Sequence, residues 1–512
     1  MTASYNSPGV YSSEIDLSDI SSITAITRVF QAGQTLRGPL EATFLTTSKK
    51  FREIFGNPDP KLGFGAYAAQ VALDAGGTIY FKRVVGTGAT FAAIQKKLDD
   101  TITTAAVAGP EAILDTNRIS VYAPGPGPGY NTVSVEIVRR TDDENLFNVN
   151  VYDSSVSANV IESYTVSADF YKDGMGAQTR AEEVINVNSN RIRVKLGLAT
   201  VVGTDISLAK TGFPAAAAGT VPTEANMVNA YKEAYNTRKF QISLVAAAGY
   251  TSKAFQSALD QLCQFRKDTF GFLDAPASAQ ASPDLMVQYR KGSEFNLNTS
   301  YCALSGQDWK YFDYNSNLYL YLPASIAALQ RAIKSDAMKA PWYPIAGYNR
   351  GIIDSAFGLR YDYDRNDRDL MYPNQINSIE NDPGYGYIYF GNKTLQSKLT
   401  ALSYIHVRRL LCVLYPNLDA ASKPSLFELQ DEFLWLRVQK LLEGYLQQVK
   451  DGKGLYKFKV VCDSSNNEPA DIDRGVLNVD VFLQPARDVE AIAIQYILTA
   501  TGASFTEAAA SI

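Results

Sequence analysis

Residues 241–278 constrain the fold most tightly. QISLVAAAG reads as a strand, SKAFQSALDQLCQFRKD as an amphipathic helix and FGFLDAP as a second, buried strand. Two strands separated by a helix cannot form a hairpin. They must lie parallel and be joined by a right-handed crossover, which places this stretch in an α/β sheet.

The rest of the chain is organised around that unit. The first residues, 1–24, are Ser-rich with Pro8-Gly9 and no helical period, and they read as an extended arm. Residues 25–86 return to α/β patterning, with TAITRVFQAG, EATFLTTS and TIYFKRVV as strands and helices near 49–55 and 64–75. Residues 87–222 change character, because RISVYAP, TVSVEIVRR, NLFNVNVYD and ESYTVS alternate between turns and indicate a β-rich insertion. Residues 223–390 form the central α/β domain. Residues 391–489 form a C-terminal domain with helices near 403–414 and 426–449, followed by strands KFKVVCD and VLNVDVFLQP. Residues 490–512 are a terminal strand and arm, in which Ile492, Ile494, Tyr496 and Leu498 share one face. A chain of 512 residues calls for several cores, and 46% hydrophobic residues can supply them.

Charge and cysteine usage narrow the function. The net charge is -5 and the lysine pairs Lys49-Lys50 and Lys96-Lys97 are isolated, so no nucleic-acid partner is expected. The N-terminus has no signal-peptide pattern, and no apolar run reaches the ~18 residues that would span a bilayer, so no direct membrane insertion is expected. Cys263, Cys302, Cys412 and Cys462 are widely spaced without a CxxC pair, which predicts buried reduced thiols and no metal site.

Catalytic chemistry has little to work with. His406 is the one histidine in the sequence, and Arg408 and Arg409 would disfavour the imidazolium a general base becomes, so it is expected at a helix surface or interface. Gly86-Thr87-Gly88 lacks the rest of a dinucleotide loop, and Pro126 and Pro128 remove backbone donors from APGPGPG. No phosphate-binding loop occurs. Asp142-Asp143-Glu144 is expected in a hairpin connection. Asp362, Asp364, Asp367 and Asp369 interleave with arginines and predict an ion-paired surface. No catalytic, cofactor-binding or metal-binding residue is assigned, and no cofactor is expected. The 31 tyrosines, dense in YNSNLYLYLP and GYGYIYFG, suit sheets and protein interfaces alike.

In their order along the chain, SPGVYSSEID, Gly38-Pro39, the Phe55–Pro58 turn, TIYFKRVVGTGA, PGPGYNTVSVEI, FGFLDAP, KSDAMKAPWYPIAG, RDLMYPNQINSI, GNKT, IHVRRL, VVCDSSNN, DIDRGVLNVDV and QPARDVEAIAI resemble contractile tail sheath proteins. That family spans phage sheaths, R-type bacteriocins and type VI secretion sheaths. Ser12-Ser13 depart from it, standing where many members have acidic or apolar residues. The resemblance implies a multidomain α/β fold with a central core of subtilisin-like topology and no protease triad, a protruding β-rich insertion, an α+β C-terminal domain and extended terminal arms. It further implies a structural, non-enzymatic subunit. Hexameric rings would stack as a helical lattice around a tail tube protein, with a baseplate and a tail terminator or collar as further partners. The location would be the virion tail, assembled in the host cytoplasm, with a phage particle preferred to another contractile injection system. Arms would add strands to neighbours through Pro8, Gly9, Val10, Tyr11, Ile15 and Leu17, and through the terminal face named above. Glu432, Gln439, Glu443 and Lys450 are the candidate tube-facing residues, opposite a packing stripe of Leu434, Val438, Leu441 and Tyr445. The competing readings are an α/β hydrolase-like enzyme and a capsid or adhesin component.

Overall fold

The computed structural model describes residues 27–113, 116–172 and 178–490. Its organising element is an eight-stranded sheet. The strands run in the order Gly386–Phe390, Ile376–Asp382, Cys302–Ser305, Phe270–Asp274, Leu244–Ala246, Arg28–Gly33, Thr78–Arg83, Thr43–Leu45. The six inner strands are parallel throughout, and the two outermost run antiparallel to their neighbours. The expected crossover is present. Leu244 pairs with Phe270 and Ala246 with Phe272 in parallel, separated in sequence by the helix Lys253–Arg266. Ser252 starts that helix by accepting a hydrogen bond from the Phe255 amide, and Lys267 ends it in the left-handed region at φ 63°.

Alternation along the strands decides the layers, because successive side chains leave opposite faces. Val29, Ile79, Phe81, Leu244, Phe270 and Phe272 pack on one side with Tyr67, Val71, Leu329 and Ile333 from the helices Gly65–Asp74 and Ala324–Met338. Phe30, Ala32, Val245 and Leu273 pack on the other with Met227, Phe255 and Leu259 from Glu224–Lys232 and Lys253–Arg266. A sheet covered on both faces needs continuous apolar strands, which is why FGFLD reads so clearly.

After Arg83 the chain leaves this sheet and builds two four-stranded antiparallel sheets. One contains Phe91–Lys96, Ile102–Val107, Ile119–Tyr122 and Arg193–Leu196; the other contains Val133–Arg139, Leu146–Asp153, Ser157–Ser167 and Leu208–Gly212. Val121, Val135, Phe147, Val149 and Ile192 fill the core between them. A buried polar clasp holds this unit to the main sheet. Arg37 and Arg191 each reach one oxygen of Asp153 at 3.1 Å, while Thr132 and Ser155 hydroxyls donate to the other. Burial opposes the Asp153 charge, but the hydrogen bonds from Ser155 and Thr132, together with Arg191, outweigh it and keep the carboxyl below its ordinary range. Gly38 donates its amide to the Tyr130 hydroxyl at 2.9 Å and sits at φ 115°, where a Cβ would lie 2.2 Å from the Phe55 ring. Glycine is required there.

The C-terminal part joins the helices Ile405–Ser422 and Glu432–Asp451 to an antiparallel ribbon of Leu455–Val461 and Asp480–Pro485. Their core is Leu410, Leu414, Val438, Leu442, Leu446, Val449 and Val460, with Trp342. The helices differ from their expected limits. The first continues past Leu414 to Ser422 through Pro416, and the second begins at Glu432, where Asp431 accepts from the Leu434 amide, not at Leu426. Proline removes one helical bond, and packing of Leu414 and Leu418 offsets that loss. No helix among the described residues is long and apolar enough to cross a membrane.

Candidate functional site

The carboxyl ends of parallel strands are where α/β proteins place chemistry. Asp274 ends one such strand and is fully buried. It accepts hydrogen bonds from the Ser325 hydroxyl at 2.6 Å, the Ser325 amide at 2.7 Å and the Gly249 amide at 2.9 Å. The Ser325 hydroxyl in turn accepts from the Ala248 amide at 3.1 Å. Serine and carboxylate therefore meet, but as a saturated internal lock with no imidazole in contact. Nearby Asp308 bonds Gln280 at 2.9 Å and Arg360 at 3.0 Å. Burial raises its carboxyl to about 6, and the Asp274 charge adds to the shift. No group of side chains among the described residues is arranged to hold a metal ion. Arg360 and Arg368 pair with Asp308 and Glu380, so they do not pair with the aspartates that alternate with them in sequence.

His406 corrects the sequence expectation: it is buried, not on the helix surface. Its Nδ1 accepts from the Asn392 amide at 2.7 Å, and its Nε2 donates to the Ala486 carbonyl at 3.2 Å. Burial lowers its pKa, opposed by the Asp488 charge, so the ring is held neutral. Asn392 also donates to Asp488 at 2.7 Å, and Lys393 pairs with Glu490 at 3.1 Å while its ammonium lies 4.0 Å from the Tyr404 ring. These contacts tie the segment following the ribbon to the main sheet. The imidazole is thus an anchor. Nothing in the one-dimensional pattern could have shown this, because its partners are 14 and 80 residues away.

On the helix Glu432–Asp451 the four candidate residues do share a stripe. Glu432 and Lys450 are exposed, and Gln439 and Glu443 are half-buried. Gln439 and Lys440 each donate to Glu443 at 2.8 Å. The packing stripe differs by one residue: Leu434, Val438 and Tyr445 are buried as expected, Leu441 is exposed, and Leu442 takes its place. A helix repeats every 3.6 residues, and the buried band centres on positions 434, 438, 442, 445 and 449, one step beyond Leu441. Sequence reasoning also missed apolar residues on the outer side. Phe427, Leu429, Phe433 and Leu436 are all exposed, and Phe427 is held at φ 66°. A bulky residue at positive φ is a clear outlier.

The arm residues Pro8, Gly9, Val10, Tyr11, Ile15, Leu17, Ile492, Ile494, Tyr496 and Leu498 lie outside the described residues. What the structure does describe is a two-stranded ribbon, Leu455–Val461 with Asp480–Pro485, whose outer edges pair with no described strand.

A main sheet with a covered face on either side, a two-sheet β unit clasped to it and a helix-and-ribbon C-terminal unit is the architecture of solved sheath proteins. The sheath tail protein of Desulfitobacterium hafniense aligns with a TM-score of 0.56 at 13% identity, covering 94% of this chain and 98% of that one. The contracted helical sheath of the anti-feeding prophage aligns with a TM-score of 0.53 at 14% identity, covering 97% and 100%. Sequence makes the relation specific. Residues 397–499 match the phage tail sheath C-terminal domain. The tail sheath protein of Enterobacteria phage T4 is 36% identical over 217 residues, which is 42% of this chain and 33% of that protein. The chain is thus similar to tail sheath proteins, as its motifs implied, and its residues 397–499 resemble their C-terminal domain. The matched region spans about a third of the length of that curated relative.

Proposed function

We propose that this chain is the sheath subunit of a contractile phage tail. It polymerises as a helical lattice of hexameric rings around a tail tube and contracts to drive the tube through a host envelope. The match of residues 397–499 to the phage tail sheath C-terminal domain carries this reading. The central part has subtilisin-like topology, the β unit protrudes, and the C-terminal unit faces the tube. Baseplate and terminator bound the polymer, which is assembled in the host cytoplasm and resides in the virion tail.

Mechanical work without a nucleotide site needs energy stored at assembly, in an extended lattice that is metastable to the contracted one. Subunits must stay connected while they move. The ribbon supports this, since its open edges can accept the terminal arms of neighbouring copies, and several backbone bonds at ~1 kcal/mol each make a tether. The His406–Asn392–Lys393 anchor then fixes where the C-terminal arm leaves the body. The sheath of a non-phage contractile injection system is the second reading, favoured by the likeness to the anti-feeding prophage sheath. A hydrolase reading has no support from the Ser325–Asp274 pair, whose oxygens are already saturated.

Negative-stain microscopy of the purified chain, alone and with its tube protein, tests the proposal. Hollow cylinders with a helical repeat are expected, and deletion of residues 2–18 should leave soluble folded protein that forms none. Discrete particles under every condition, or full-length cylinders from the truncated chain, would count against it.

A further inference from the structure

A three-stranded antiparallel sheet lies apart from the main one, with Trp309–Asp313 in the middle, Leu318–Leu322 on one side and Ala356–Leu359 on the other. Trp309, Tyr311 and Leu322 point into the main core. The opposite face is aromatic and open. Phe312 packs against Tyr319 at 5.0 Å and Tyr314 at 4.9 Å, and Tyr319 meets Phe357 at 5.7 Å between ring centres. The Lys310 ammonium lies 4.5 Å from the Tyr319 ring, and the Arg360 guanidinium lies 4.8 Å from the Tyr321 ring.

Among the described residues no strand pairs with the outer edge of Leu318–Leu322. Proteins blunt exposed sheet edges with lysine, proline or a bulge, because a free row of amides and carbonyls recruits another strand. Here the sequence is LYLYL, its pairing to Trp309–Asp313 is unbroken, and Tyr319 is 54% exposed. The other outer strand, Ala356–Leu359, is bulged and contains Gly358. LYLYL also reads the same in both directions. An antiparallel second copy centred on Leu320 would set Leu320 against Leu320, Leu318 against Leu322 and Tyr319 against Tyr321. The tyrosine pairs would fall on the open face, where cross-strand aromatic pairs add to the backbone bonds.

We propose that the unpolymerised chain pairs with a second copy of itself through the strand Leu318–Leu322, forming one six-stranded sheet across a two-fold axis. The strand's self-complementarity selects this occupant. A two-fold contact closes on itself and cannot propagate a polar helix. The pair is therefore a reserve form that covers a reactive edge and opens before the subunit enters a lattice. The contact is read on soluble protein, so its test stands whether or not the chain forms a sheath.

Light scattering on the soluble fraction of the full chain, over a concentration series, should show mass rising to twice that of one chain. Tyr319→Pro, which removes one outward-facing edge amide, should hold the mass at one chain, with Tyr321→Lys as a milder variant at the same edge. Cross-linking tests the register without relying on stability. An equimolar mixture of Tyr319→Cys and Tyr321→Cys chains, mildly oxidised, should give several-fold more disulfide-linked dimer than either alone. A soluble fraction that stays monomeric at every concentration would overturn the proposal. So would a dimer unaffected by both edge variants, or equal cross-linking in mixed and unmixed samples.

Discussion

Asp308 and His406 show how burial turns single side chains into pH-dependent contributions. The Asp308 carboxyl is pushed to about 6, chiefly by burial, so between its ordinary range and 6 the folded state binds more protons than the unfolded one. Stability is then lost as pH rises through that window. Asp308→Asn removes the loss and keeps an oxygen for Gln280. It should stabilise the protein by about 1–3 kcal/mol at pH 7 and by almost nothing at pH 4. Denaturant midpoints at the two pH values measure this, and destabilisation at pH 7 would refute it. His406 has the opposite sign. Its pKa lies below the usual value because burial disfavours the imidazolium, so the unfolded chain takes up a proton first. Its contribution is complete above about pH 6.5 and is lost as pH falls. His406→Gln can still accept from Asn392 and donate to Ala486. With that variant, the protection of amides in residues 484–490, relative to their intrinsic exchange rates, should no longer fall on acidification.

The helix Glu432–Asp451 presents one buried apolar stripe and one polar stripe. Its buried stripe predicts that Leu442→Ala costs about 2–5 kcal/mol, as large cavities in packed cores do, while Leu441→Ala stays within about 0.5 kcal/mol. Unfolding followed by tryptophan fluorescence reports on this unit, since Trp342 and Trp435 lie in or against it. Similar costs for both would mean the stripe is misassigned. The polar stripe predicts a functional effect instead. If the proposed function holds, reversing Glu432 and Glu443 together to lysine should weaken sheath assembled on a tube and make it more salt-sensitive, leaving tube-free assembly unchanged. Exposed pairs contribute only ~0–1 kcal/mol each, which suits a contact that must later release. An equal effect with and without tube would move this face to a contact between sheath subunits.

For the whole molecule the relevant fact is how the β unit is inserted. The chain leaves and re-enters the main sheet side by side: the Thr220 amide donates to the Thr87 carbonyl at 2.9 Å, and the Thr90 amide donates to the Ala217 carbonyl at 3.1 Å. Residues 87–222 can therefore be replaced by a short Gly/Ser linker without stretching the remaining fold. The shortened chain should fold and, on the proposed function, still polymerise. Arg37, half-buried in the clasp, should be neutralised as well, since it loses Asp153. A folded core that no longer assembles would show that the β unit is part of the lattice and not an ornament on it.

Local pattern alone was enough for the crossover at 241–278, the hairpins of the β unit and the existence of the two C-terminal helices. Strand alternation and helical period are properties of neighbouring residues, and they survive without knowledge of the fold. The order of the motifs was enough for the likeness to tail sheath proteins. Tertiary structure alone decided that His406 is an internal anchor, that Leu442 and not Leu441 faces the core, and that the first C-terminal helix passes through Pro416. It also placed Asp153, Arg37 and Arg191 together. Each of these depends on partners distant in sequence. Burial, desolvation and a shared hydrogen bond are set by what the folded chain brings within a few ångströms, and no local period encodes that.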